Sequence, residues 1–314
     1  METKQKFINL DSGETIFFAR ELENIKSKSF DVKYADLKAR SLLPVSSDAG
    51  SGAESITYRQ YDHLGVAKLI SSYAHDLPRA DVKGKEFTAP VRSLGSSYGY
   101  NLQEIRAAKM VGKPLEQRRA NAAKRAIMQL ENSIAFNGDA ANGLGGFISN
   151  PNYTVIAMAA DGNQSGFVNS SLWKAKTPDQ ILRDMNLIAN TPFSVTKGIE
   201  MPDTMLMPLD QFTFISSTAR SANSDTTILE YFLKNNPFIK SVDWLNECKG
   251  AGVSGSDIAL VYRKDPDALT LEIPQDFEQL PVQEKGLEFQ IPCHSRLGGV
   301  LIYYPLSIAR GDGI

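Results

Sequence analysis

The sequence predicts an α+β fold, and three observations carry that reading. A helical run without Pro or Gly extends from Pro114 towards Asn137, the stretch 53–98 alternates like a long two-stranded ribbon, and the remainder mixes short helices with strands. Pro114 suits a first helical position, where its missing N–H is not needed. Good helix formers dominate the run, which at 1.5 Å per residue is about 35 Å long. Leu115, Ala122, Ala126, Leu130 and Ile134 recur at steps of four or seven and predict one narrow apolar stripe. Gly138 supplies a left-handed stop before Gly143-Leu144-Gly145-Gly146-Phe147. The run reads as the spine of a subunit and carries no active-site pattern.

Ahead of the spine, Thr15 to Ile25 fit a short amphipathic helix with Phe17, Phe18 and Leu22 on one face. Residues 27–48 then read as an extended arm, closed by Pro44 and a Ser/Gly-rich break from Ser46 to Gly52. With Phe30, Val32, Tyr34, Leu37, Leu42 and Leu43, this arm is too apolar for a solvated tail. It must lie on its own body or on a neighbour. In the ribbon, Ile56, Tyr58, Val66, Leu69 and Ile70 precede a breaker-rich turn from Leu77 to Gly84. Phe87, Ala89 and Val91 then alternate with polar residues, the period of a strand with one covered face. Pro90 fits an edge strand. Two arms of roughly 15–20 residues reach on the order of 50–65 Å at ~3.3 Å per residue. A lone hairpin is marginal in water, so this one is expected to rest on another subunit; two strands of an ordinary sheet are the alternative.

Beyond Phe147 the pattern predicts strands near 153–158, 204–207, 239–244, 258–262, 287–291 and 300–304. Thr177-Pro178-Asp179 caps a helix through Ile188, and shorter helices open at Pro208 and Thr227. Turns fall at Gly286 and Gly298-Gly299.

Composition narrows the function classes. A chain of 314 residues exceeds one typical core. Its net charge of −2 gives no global attraction to nucleic acid or to an anionic membrane. No run approaches the ~20 apolar residues of a membrane span. The polar start Met1 to Gln5 lacks a signal-peptide core, so a cytoplasmic setting is expected. Two cysteines, Cys248 and Cys293, suit that setting and are too few for a disulfide framework. The Asn-x-Ser/Thr matches at Asn152, Asn163 and Asn169 then read as chance.

The order of these pieces resembles the major capsid proteins of tailed bacteriophages with the Hong Kong ninety-seven type fold. The likeness is carried by the N-terminal arm, the extended loop, the spine helix, and the Gly138-Asp139 to Gly146 turn. Leu77-Pro78-Arg79-Ala80-Asp81 with Lys85-Glu86-Phe87, the run Tyr100 to Ala108 and the closing Gly298-Gly299-Val300 to Pro305 add to it. The resemblance covers nearly the whole chain. It implies an N-arm over 1–52, an extended β-hairpin loop over 53–98, a peripheral domain over 99–198 containing spine helix 114–137, an axial domain over 199–285, and return strands of the peripheral domain over 286–314. It also implies a structural protein that self-assembles, through pentamers and hexamers, into an icosahedral shell enclosing double-stranded DNA. Scaffold, portal and cement proteins are the further candidate partners, packaged DNA is met by non-specific contact, and no membrane is involved. The expected location is the virion capsid, assembled in the host cytoplasm. A nanocompartment shell of the same fold, holding enzyme cargo, is the alternative; a soluble serine-type hydrolase is a remoter one.

Enzyme-like strings were weighed against this, and no catalytic, cofactor or metal site is expected. Gly250-x-Gly252-x-x-Gly255 lacks the helix that a dinucleotide fingerprint needs after it, because Ile258 to Tyr262 reads as a strand. Ser194-x-x-Lys197 has no Ser-Asp-Asn or Lys-Thr-Gly companion. Cys293-His294 adjacency says nothing about a spatial pair. His63, His75 and His294 have no zinc-type spacing to the cysteines. Arg310-Gly311-Asp312 reads as a tail-end turn. Between Leu102 and Asn137, Arg106, Lys109, Lys113, Arg118, Arg119, Lys124 and Arg125 stand against Glu104, Glu116 and Glu131. This excess is either a solvated face or a lining that softens repulsion between packaged phosphates.

Overall fold

The computed structural model describes residues 34–68, 79–112, 116–221, 223 and 225–314, and Leu37 to Ile314 form one unit. The amphipathic helix expected around Phe17, Phe18 and Leu22 lies outside the described residues, as do Leu69, Ile70, His75, Leu77, Pro78, Lys113, Pro114 and Leu115.

From Leu37 the arm is not extended. Ala39–Leu42 makes one helical turn (α1) and Val45–Ser46 a short strand (β1). Leu42 and Leu43 are buried, and the Ala39 N–H donates to Asn132 Oδ1 at 3.0 Å. This part of the arm therefore lies on its own body. The 53–98 stretch holds the strands Ser55–Leu64 (β2) and Asp81–Pro90 (β3), then most of Arg92–Asn101 (β4). The paired arms of the ribbon are ten residues each, about 33 Å at 3.3 Å per residue. That is shorter than the sequence suggests, because the pairing stops at Leu64 and the chain after Val91 leaves for another sheet.

Leu102–Val111 (α2) is a separate helix, capped reciprocally by Asn101 and Glu104 and ended by Gly112 at φ 68°. The spine, Glu116–Asn137 (α3), follows and stops at Gly138 (φ 73°). Its buried face is not the expected stripe. Ala123, Ile127, Glu131 and Ile134 point inward, whereas Ala122, Ala126 and Leu130 are exposed. A step of four residues turns 400°, about 40° past a full turn, so a stripe built on fours winds from the solvent face to the core within three steps.

The rest of the chain runs Thr154–Ala157 (β5), Pro178–Val195 (α4), Thr204–Met207 (β6), Leu209–Ser217 (α5), Ile228–Asn235 (α6), Ser241–Trp244 (β7) and Ile258–Tyr262 (β8). Then come Leu269–Glu272 (β9), Gln275–Gln279 (β10), Gln283–Lys285 (β11), Glu288–Leu297 (β12), Gly299–Ile302 (β13) and Ala309–Asp312 (β14). The expected cap of α4 is present: Thr177 accepts from the Gln180 N–H while Gln180 reaches back to the Thr177 N–H.

A five-stranded sheet in the order β5-β14-β8-β6-β7 divides the core. Along β8, Ile258, Leu260 and Tyr262 enter one apolar cluster with the spine, and Ala259 and Val261 enter another with α4, α5 and α6. That is the period of a strand covered on both faces. A second sheet pairs β4 with β12 from Arg92↔Leu297 to Asn101↔Glu288, with β10 and β11 on the other edge of β12. A third, β1-β9-β13, ties the arm to the body. The two glycine-rich motifs meet: Val300 N–H donates to the Gly145 carbonyl at 2.9 Å. Arg310-Gly311-Asp312 is β14 inside the first sheet, not a terminal turn, because hydrogen bonds to β5 and β8 take both of its edges.

Candidate assembly surfaces

The ribbon β2–β3 is a sheet of two strands with a supported foot. The Val91 N–H donates to the Glu54 carbonyl at 2.8 Å. Tyr58 stacks on Phe87 with ring centroids 5.2 Å apart and meets Tyr303 edge-on at 4.9 Å. Burial pushes the Tyr58 phenol above its ordinary pKa. Ile56 closes against Gly298, where a Cβ would stand 3.0 Å from Ile56 Cδ1.

Past Tyr58 the support ends. Every residue from Arg59 to Leu64 and from Asp81 to Glu86 is exposed. Tyr61 lies across Gly84 and is still 59% exposed, and Leu64, Val66 and Val82 are uncovered too. The exposed cross-strand pair Arg59–Glu86, at 2.7 Å, adds little. The described distal strands thus order a dozen residues while covering almost no apolar area of their own, which is unfavourable unless another surface lies on them.

Five of the six basic residues of α2 and α3 divide into two groups. Arg119 holds Glu104 through contacts of 3.0 and 2.8 Å and lies over the Tyr100 ring. This pairing keeps the Glu104 carboxyl below its usual pKa. Lys124 sits 5.8 Å from the Phe277 ring. Glu131 is nearly enclosed and is held by Arg40, which also reaches Asp276. Arg106, Lys109 and Arg118 are exposed, and among the described residues no carboxylate pairs with them. The charge excess is therefore real, but Arg119 belongs to packing: it ties α2 to the spine.

Among the described residues, none of the enzyme-like strings assembles a site. The Gly250–Gly255 loop leads into β8, a strand. The Ser194 hydroxyl donates to the Thr191 carbonyl at the end of α4, and Lys197 sits at φ 54° in the following turn. Cys293 faces the core while its neighbour His294 points to the other side of β12. Burial pushes both the Cys248 and the Cys293 thiols up. His63 lies on the exposed part of β2, and no His/Cys/Asp/Glu group suited to a metal occurs among the described residues. No helix there is long and apolar enough to cross a membrane. The surface that sequence reasoning missed is the groove beside the ribbon's foot, lined by Ser46, Asp48, Asp267, Glu272 and Tyr303. No periodic signal marks it, because its walls come from three distant segments.

The profile of a family described as Major capsid protein matches residues 65–314. Among solved structures, the capsid of Myoviridae phage XM1 superposes over 96% of this chain and 99% of that one, with a TM-score of 0.79 at 16% identity. Mycobacterium phage Bobi gives a TM-score of 0.62 at 13% identity, covering 93% and 97%. The capsid of a native GTA particle gives 0.63 at 11%, covering 92% and 94%. At such identities the likeness is one of fold. Comparison with curated protein sequences gives no match. The profile and the shared fold favour neither an enzyme-cargo compartment nor a hydrolase. Carrying this fold and matching that profile over most of its length, the chain belongs to the Major capsid protein family and is a structural capsid subunit that self-assembles into a shell.

Proposed function

We propose that copies of this chain tile, as pentamers and hexamers, into a closed icosahedral shell around double-stranded DNA, each copy's ribbon reaching over a neighbour. The observation that carries this is the distal ribbon, exposed on both faces with Tyr61, Leu64, Val66 and Val82 uncovered. Closed symmetry leaves no such surface free, and permanent interfaces commonly bury about 2,000 Å² or more. In this reading residues 99–198 and 286–314 form a peripheral region and 199–285 an axial one. The five-stranded sheet joins them, since β5 and β14 pair beside β6, β7 and β8. Scaffold, portal and cement proteins are further partners, and assembly takes place in the host cytoplasm. The DNA contact is non-specific, through Arg106, Lys109 and Arg118.

Replacing residues 60–85 by a short Gly-Ser turn retains the Tyr58–Phe87 foot. The expected product is a folded subunit with an unchanged melting temperature that forms no shells by electron microscopy. Normal shells from this variant would show that the ribbon does not bridge subunits.

A further inference from the structure

Among the described residues, the buried carboxylates follow one rule with a single exception. Glu131 is held by Arg40 at 2.6 and 2.8 Å. Asp184 pairs with Lys176 and Arg183, Glu200 with Arg263 at 3.4 Å, and Asp312 with Arg310 at 2.5 Å. Glu272, on β9, is 3% exposed and has only hydroxyl partners. Its Oε1 accepts from Thr270 at 2.7 Å and its Oε2 from Ser46 at 3.1 Å. No lysine or arginine among the described residues reaches it.

Glu272 also lines an open groove of about 810 Å³ at the ribbon's foot. Asp48 and Asp267 share the lining, and among the described residues no basic side chain does. The Tyr303 phenol in the wall is pushed above its ordinary pKa, chiefly by burial, with Glu272, Tyr58 and Asp48 adding to the push against the Thr270 hydrogen bond. Burying a carboxylate is costly unless a cation accompanies it. A subunit that self-assembles can take that cation from its neighbour.

We propose that this groove receives a lysine or arginine side chain of a second copy of the chain, which completes an ion pair with Glu272 across the interface. The proposal rests on self-assembly and is independent of the cargo. Suitable cations are present: Lys83 on the ribbon, Arg106 and Lys109 on α2, and Arg118 on α3 are exposed, without a carboxylate partner among the described residues. An acidic groove on one copy and a cation elsewhere on the next make a heterologous contact, the kind that closes rings.

Glu272→Gln keeps the shape and an acceptor oxygen while removing the charge. The unassembled subunit should unfold at the same or a higher temperature, since an uncompensated buried charge is gone. The concentration needed for half-assembly should rise about tenfold or more, and its salt dependence should weaken. Asp48→Asn with Asp267→Asn alters the same groove through exposed residues and should shift assembly in the same direction by a smaller factor. Lys83→Gln, Arg106→Gln, Lys109→Gln and Arg118→Gln are each combined with Glu272→Gln; the partner is the one whose effect vanishes in that background. Unchanged assembly of the groove variants, a loss confined to subunit stability, or no coupling to any of the four cations overturns the proposal. So does loss of wild-type assembly in EDTA restored by magnesium or calcium, which would make the groove a metal site. Wild-type shells in the same assay report separately on self-assembly.

Discussion

Gly146 sits where no side chain fits: a Cβ there would lie 2.2 Å from the Gly138 nitrogen. Gly138 itself is left-handed and would bring a Cβ within 2.8 Å of the Gly146 nitrogen. The two residues let the spine end and the chain reverse against it, with the Phe147 N–H donating to the Ala135 carbonyl at 2.8 Å. Gly146→Ala should therefore destabilise the unassembled subunit by about 3 kcal/mol, read from urea unfolding. Gly50→Ala, with nothing within 4 Å, should stay within about 0.5 kcal/mol; equal effects would show that the turn has room. The glycine run was legible as a stop. Its partner, Gly298-Gly299, was not legible as a contact, since residues this far apart in sequence share no period.

At the scale of elements, the spine shows how a correct helix can be read with the wrong face inward. Length and termination follow from local chemistry, but its inward face is set by what packs on it. Arg40 and Ala39 reach Glu131 and Asn132, so two polar residues join the buried side at its C-terminal half. The observed phase makes a direct prediction. Ala123→Leu overfills the core and should cost about 1–3 kcal/mol, whereas Ala122→Leu, on the exposed side, should stay within about 0.5 kcal/mol. Chemical denaturation of the two variants decides, and the reverse order would restore the stripe through Ala122, Ala126 and Leu130. The ribbon teaches the same lesson: alternation revealed the strands, while the point at which the chain after Val91 departs for β12 was invisible because both partners look equally strand-like.

For the whole molecule, the proposed contact with cargo falls to Arg106, Lys109 and Arg118, which have no carboxylate partner among the described residues. If Arg106, Lys109 and Arg118 face packaged DNA, changing all three to Gln should lower the melting temperature of filled shells more than that of empty ones, more so at low salt. Equal loss in filled and empty particles would assign the three residues to contacts between subunits. Arg119 makes the contrasting control. Its carboxylate partner is Glu104, so Arg119→Gln should loosen α2 slightly and equally in both kinds of particle, since the pair is exposed.

The sequence by itself determined the elements whose causes are local. Those are the spine and its glycine stop, the Thr177 cap, the strand at 258–262, and a ribbon with too little apolar area to stand alone. Together with motif order, that was enough to place the chain among capsid subunits. Only the tertiary structure decided which residues share a surface. Pairing of β14 beside β8, the turn of the spine, the folding of Leu42 and Leu43 onto their own body, and the enclosure of Glu272 without a cation all arise between distant segments. Burial and electrostatic pairing depend on distance in space, and no local pattern encodes that distance.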